Sequence, residues 1–157
     1  MSIEARLTEL GLTLPQPMNT AALPFDLVRA DGGHLYLSGH VPTDMSGAMS
    51  KPFGKVGDQV SPEEAYAIAG RIALGLCASI KAHVGGLDRI EKWLRVFGMV
   101  NAAPGFTQIP AVINGCSDTL LQIFGTNVGA HARSAVGMAE LPFNVPVDIE
   151  AEVKIRS

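Results

Sequence analysis

From Ser61 to Gly85 the chain reads SPEEAYAIAGRIALGLCASIKAHVG, and no other stretch restricts the fold as strongly. Ser61 suits an N-cap, Pro62 the first helical position, and Glu63 and Glu64 the positive end of a helix dipole. Gly85 can close the same helix in a left-handed conformation. The spacing predicts a helix over about 61–84, with Ala69, Ala73, Leu76 and Ile80 as its apolar stripe. Gly70 and Gly75 either admit another backbone or are simply tolerated, and Cys77 reads as packing.

The flanking segments read mostly as strands. Ile3, Leu7 and Leu10 behind Ser2 outline a short amphipathic helix ended by Gly11. Pro15, Pro17 and Pro24 then mark an extended connection, so residues 1–20 lead into a single domain that occupies 1–157. FDLVRA, DGG and HLYLSG predict a hairpin, with strands near 25–30 and 34–39. Residues 42–60, rich in Gly and Pro, form the longest irregular segment, a place where sites often lie. A strand over about 89–101 precedes a second long helix, outlined from Ile109 to Phe124 with Pro110 in its first turn and Gly125 after it. The last two strands span about 133–139 and 146–155. This order predicts an α+β fold, two long helices packed on one face of a mainly antiparallel or mixed sheet. The other face must then be wet or meet another subunit. The strand at 133–139, small or apolar on both faces after its arginine, favours an oligomer.

Composition narrows the function. With 157 residues, 47% hydrophobic and 17% charged, the chain suits one ordinary domain. A formal charge of -3 argues against nucleic acid as a partner. No run approaches the roughly 20 apolar residues of a membrane span, and MSIEARLTELGL lacks the layout of a secretion signal, so no membrane association and a cytoplasmic location are expected. Cys77 and Cys116 stand far apart without a CxxC, and His34, His40, His83 and His131 show neither HxH nor HExxH, so no metal site is expected and turn, loop or helix-surface roles suit the histidines. Gly54-Lys55-Val56-Gly57 lacks phosphate-loop spacing, and no serine lies in a nucleophile elbow.

Arg133 is the most suggestive polar residue. It opens a strand of small and apolar residues and shares a face with Ala135, Gly137 and Ala139, which leave space beside a planar donor suited to a carboxylate. Two readings are open from local sequence. Arg133 is an anion receptor, or a strand-end cation with its head in water and its stem over apolar surface.

LYLSGHVP at 35–42 and HARSAVGMAELP with VDIEAEV at the C-terminus are similar to signatures of the RidA/YjgF (L-PSP, "endoribonuclease") family. VGDQVSPEEA, GGLDRIEKWLRV and FTQIPAVINGCSD fall in the family's order, and the resemblance covers nearly everything after residue 20. The N-terminal helix and the long PAVINGCSDTLLQIFG segment resemble a longer subgroup. The resemblance implies a chorismate-mutase-like homotrimer with pockets at its subunit interfaces. It also implies hydrolysis of 2-imino or 2-enamino acids to 2-oxo acids and ammonia, without metal or organic cofactor. Arg133 then takes the substrate carboxylate, Ser38 and Gly39 line the pocket, Asn114 matches a pocket asparagine, and Asp148 falls where the family has a glutamate that positions or activates water. His40, next to Gly39, is a candidate substrate-binding residue, because its polar ring replaces the family's glutamine. Phe25 stands in place of a tyrosine, Ala135 in place of a cysteine, and Asp148 is one methylene shorter than glutamate. These departures bear on rate and substrate range more than on ligand binding. They keep a second reading in view, a non-catalytic trimeric binder of small carboxylates or 2-oxo acids. RNA cleavage, the family's historical activity, is disfavoured by the acidic balance and the lack of a clustered basic, aromatic surface.

If the last two strands formed a simple hairpin, Asp148 would oppose a residue near 138, roughly 17 Å along from Arg133. Bringing the two together requires another strand order or a neighbouring subunit. Asp148, Glu150 and Glu152 also alternate with Val147, Ile149 and Ala151, which equally describes the solvated face of a strand.

Overall fold

The computed structural model describes residues 1–156. Helix α1 (Ile3–Glu9) begins at Ser2, whose hydroxyl accepts from the Ala5 N–H, and buries Leu7. Strands β1 (Val28–Asp31) and β2 (His34–His40) form the expected hairpin, turning through Gly32 and Gly33 at φ 53° and 80°. Phe25 lies just before β1, because Ser38 N–H pairs with Leu27 O and the regular ladder begins only at Val28↔Leu37.

Helix α2 (Pro62–Val84) carries the anticipated capping box: Ser61 and Glu64 each bond the other's backbone N–H. Gly85 ends it at φ 88°. Its length and apolarity would suffice for a bilayer span on composition alone, yet Ile68, Ile72, Leu76 and Ile80 are buried in the core of this fold. Strand β3 (Ile90–Asn101) leads to α3 (Ile109–Gly129), then β4 (Ala132–Met138) and β5 (Val147–Ile155). Gly125 does not end α3; it interrupts the helical path at φ 69°, ψ 171°, and one more turn reaches Gly129.

The sheet order is β1-β2-β5-β3-β4, with β3 and β4 parallel and the other neighbours antiparallel. Thus β5 does not pair with β4 as a hairpin. It crosses to the middle of the sheet, where Val147, Ile149, Ala151 and Val153 are buried under the helices. The long helices lie on this face and touch closely: a Cβ on Gly115 would stand 1.9 Å from the Tyr66 carbonyl oxygen. Only glycine permits that approach.

The opposite face carries alternate residues, including Tyr36, Arg95, Phe97, Met99, Asp148, Glu150, Glu152 and Val136. Arg95 lies over the Phe97 ring at 5.3 Å and 3.9 Å from carboxylate oxygens of both Glu150 and Glu152. Among the described residues, no helix covers that face. β4 has a free edge as well, beyond its pairing with β3.

Candidate functional site

Arg133 sits level with Val96, on the face of the sheet that the helices cover. Its guanidinium is therefore met by α3. Nη1 donates to Asn114 Oδ1 at 2.7 Å and to Ser117 Oγ at 3.1 Å. Asn114 and Ser117 are three residues apart, which puts both on one side of the helix. Ser117 Oγ also lies 3.0 Å from His131 Nε2, while His131 Nδ1 faces the Gly129 carbonyl oxygen at 2.7 Å. Arg133 has no carboxylate partner among the described residues, so the charge is oriented and left uncompensated. This geometry is that of a guanidinium held by side chains of α3 rather than a strand-end cation free in water. Ala135, two residues on, shares the Arg133 face and packs half-buried against the core. Cys116, beside this group, has its thiol pushed up to about 12 by burial, with Arg133 opposing part of that shift, and is protonated.

Ser117 is unmarked by any motif, and His131, expected in a turn, loop or surface role, instead joins this group. Each has a local signal: Ser117 stands three positions after Asn114 on a helix, and His131 precedes Arg133 by two on an extended segment.

A second cluster forms on the other face, around Asp148. Between Leu37↔Ala151 and His40↔Ile149, β2 advances three residues while β5 advances two, so Ser38-Gly39 is a β-bulge. Asp148 occupies the space that Gly39 vacates: a Cβ there would lie 2.5 Å from Asp148 Oδ1. That oxygen is buried and has no hydrogen-bond partner. Burial first, and Glu150 second, push the Asp148 carboxyl up to about 6, against a smaller lowering by the Ile149 N–H. Ser38 donates through Oγ to Asp26 O at 2.7 Å, tying the bulge to the segment that carries the half-exposed ring of Phe25.

His40 does not line a pocket with Ser38 and Gly39 as expected: it points the other way, into the core. Nδ1 faces Ser38 O at 2.6 Å and Nε2 faces Ser79 Oγ at 2.8 Å, and desolvation lowers its pKa, which keeps the ring neutral. It fastens the bulge to α2 from below. His34 and His83 join neither cluster, and the described residues contain no metal-ligand grouping.

Within one copy the two clusters are separate. Asp148 is level with Met99 and Val136, and Arg133 with Val96 and Ala151. The offset is roughly 10 Å along the strands and roughly 10 Å across β3, with the side chains on opposite faces. One cluster supplies an oriented cation, the other a carboxyl without a partner for Oδ1, pushed up to about 6.

Residues 4–149 match the family model described as "YjgF/chorismate_mutase-like, putative endoribonuclease". The chain is 36% identical over 156 residues to Protein TCP17 of Trypanosoma cruzi, covering 99% of this chain and 95% of that one. Among solved structures, Atu1372 of Agrobacterium tumefaciens, a protein of unknown function, is 38% identical with a TM-score of 0.88, over 98% of this chain and 92% of its own. A Shewanella oneidensis protein described as a "putative endoribonuclease" is 28% identical with a TM-score of 0.91, over 99% and 100% of the two chains. The bulge at Ser38-Gly39, the strand order and Arg133 near the start of β4 thus stand in a chain that belongs to the YjgF/chorismate mutase-like family, the RidA/L-PSP proteins.

Proposed function

We propose that the protein is a RidA-like hydrolytic deaminase that converts 2-imino or 2-enamino acids to 2-oxo acids and ammonia. The observation that carries this reading is the Arg133 guanidinium, braced through Nη1 by Asn114 and Ser117 and lacking a carboxylate of its own. A 2-imino acid supplies that carboxylate and presents its imine carbon at a fixed distance from it. Water adds to the carbon, the nitrogen takes up a proton, and the carbinolamine collapses to the oxo acid as ammonia leaves. Asp148, with its carboxyl near pKa 6, is suited to take a proton from water and return it to the departing nitrogen. Neither step requires a cofactor.

The two half-sites meet when a neighbouring copy brings its Asp148, Gly39, Ser38 and Phe25 to the Arg133, Asn114 and Ala135 of the first. A homotrimer with three such interfacial pockets satisfies this requirement, and the helix-free sheet face and the open edge of β4 are surfaces it would cover.

Generating a 2-imino acid in place with an amino-acid oxidase and following its loss tests the reading. The wild-type protein is expected to accelerate the loss, and Arg133→Ala to abolish the acceleration; equal rates for the two overturn it. A second reading, a trimeric binder of small carboxylates or 2-oxo acids without turnover, is favoured by Phe25, which has no hydroxyl to offer. Carboxylate binding that requires Arg133, with no imine loss above background, selects it.

A further inference from the structure

The bonds around Arg133 have a direction. A carbonyl oxygen only accepts, so His131 Nδ1, 2.7 Å from Gly129 O, carries hydrogen in either charge state of the ring. In the neutral ring Nε2 is then an acceptor, and Ser117, 3.0 Å away, donates its hydroxyl hydrogen to it. Ser117 Oγ meanwhile accepts from Arg133 Nη1 at 3.1 Å. Every bond runs from guanidinium to carbonyl, and Ser117 has no hydrogen left for a ligand. When the ring gains a proton, Nε2 becomes a donor. Ser117 Oγ then accepts from Arg133 and His131 together, and its own hydrogen is released to an incoming anion.

We propose that the Arg133 site takes up a proton at His131 as it takes up a carboxylate, with Ser117 changing from a donor to the imidazole into a donor to the ligand. The proposal rests on the reading that Arg133 receives a carboxylate. It adds a binding residue, Ser117, and a positioning residue, His131. Linkage makes the coupling reciprocal: a bound carboxylate strengthens the proton's hold on His131, and the proton strengthens the carboxylate's.

The surrounding charges leave this coupling legible. On α3, the Cys116 thiol is held neutral by burial, and Asp118 accepts from Tyr66 Oη at 2.8 Å. On β4 the charged neighbour is Arg133 itself. On β3, Arg95 is level with Ala132 and turns to Glu150 and Glu152 on the far face. No carboxylate is paired with His131 among the described residues. Asp148 of an adjoining copy, its carboxyl pushed up to about 6, is another titratable group in the proposed pocket, and the experiment has to separate it.

Pyruvate serves as the probe. Ring resonances of His131, assigned with His131→Gln, are followed against pH in the wild-type protein with and without saturating pyruvate. Pyruvate is expected to move the His131 titration to higher pH. Calorimetry in buffers of different ionisation enthalpy should record uptake of up to about one proton per site as pyruvate binds, and its Kd should tighten by at most about tenfold per unit fall in pH. Ser117→Ala is expected to lose most of the shift and the uptake while still binding pyruvate through Arg133, whereas Asp148→Asn keeps the His131 shift. A His131 titration indifferent to bound pyruvate, or a shift undiminished in Ser117→Ala, overturns the relay and leaves the carboxylate site standing. Pyruvate that fails to bind, or binds equally to Arg133→Ala, overturns both.

Discussion

Arg133 and Asp148 carry opposite electrostatic problems. The arginine keeps its charge and is held by neutral oxygens, so a ligand carboxylate gains charge-assisted bonds worth about 1.5–3 kcal/mol each. Arg133→Ala is accordingly expected to weaken pyruvate binding by about tenfold to a hundredfold, and Arg133→Lys, a point charge without the fork, to recover only part of it. Equilibrium titration of the three proteins checks this. Asp148 is buried without a partner for Oδ1, and its carboxyl rises from an ordinary 3.8 to about 6. A folded pKa above the unfolded one means that the native state binds the proton more tightly, so stability falls as pH rises between those two values. Asp148→Asn is expected to remove that slope and to raise stability at pH 8 by about 2 kcal/mol, allowing for the solvent the group still meets. Urea unfolding across this pH range reads both effects. The sequence pointed to both residues by motif, but from local pattern Arg133 was also a candidate snorkelling cation and Asp148 a candidate surface carboxylate. Alternation along a strand assigns a side chain to a face and says nothing of what the face meets.

Among the elements, α2 was legible from end to end because its signals are local: Ser61 and Glu64 lie within one turn of each other, and Gly85 acts on the backbone it terminates. The end of α3 was less so. Gly125 has the conformation of a stop, yet the chain resumes a helical turn that carries Gly129 to where its carbonyl meets His131. The contact between the helices is the least local feature. Gly115, unmarked by any pattern, lies against the Tyr66 carbonyl, whereas Gly75, conspicuous in the α2 sequence, has only the His40 ring at 4.0 Å from a built Cβ. Gly115→Ala is expected to push the helices apart and cost about 1–3 kcal/mol or more, and Gly75→Ala to cost little or stabilise. Thermal unfolding of the two variants reads the difference, and a neutral Gly115→Ala would contradict the packing described.

At the scale of the molecule, β5 inserts between β2 and β3, which parts Asp148 from Arg133 by a strand and a face of the sheet. If neighbouring copies reunite them, two inactive variants should complement each other. Mixed randomly by co-expression, Arg133→Ala and Asp148→Ala chains are expected to regain about one quarter of the wild-type activity, because each interfacial pocket needs an intact residue from each of two chains. Mixed assemblies with no recovery, alongside wild-type assemblies with full activity, would place both residues in one copy's own site.

The sequence by itself determined where most of the helices and strands lie, the α+β class and the family. These depend on periodicity, caps and motifs, whose physics acts within a few residues. Tertiary structure alone decided that β5 runs through the middle of the sheet and that His40 turns inward to brace the bulge. It also decided that Ser117 and His131 stand behind Arg133. Strand order and helix docking are settled by which apolar faces bury one another, a competition among segments far apart in the chain.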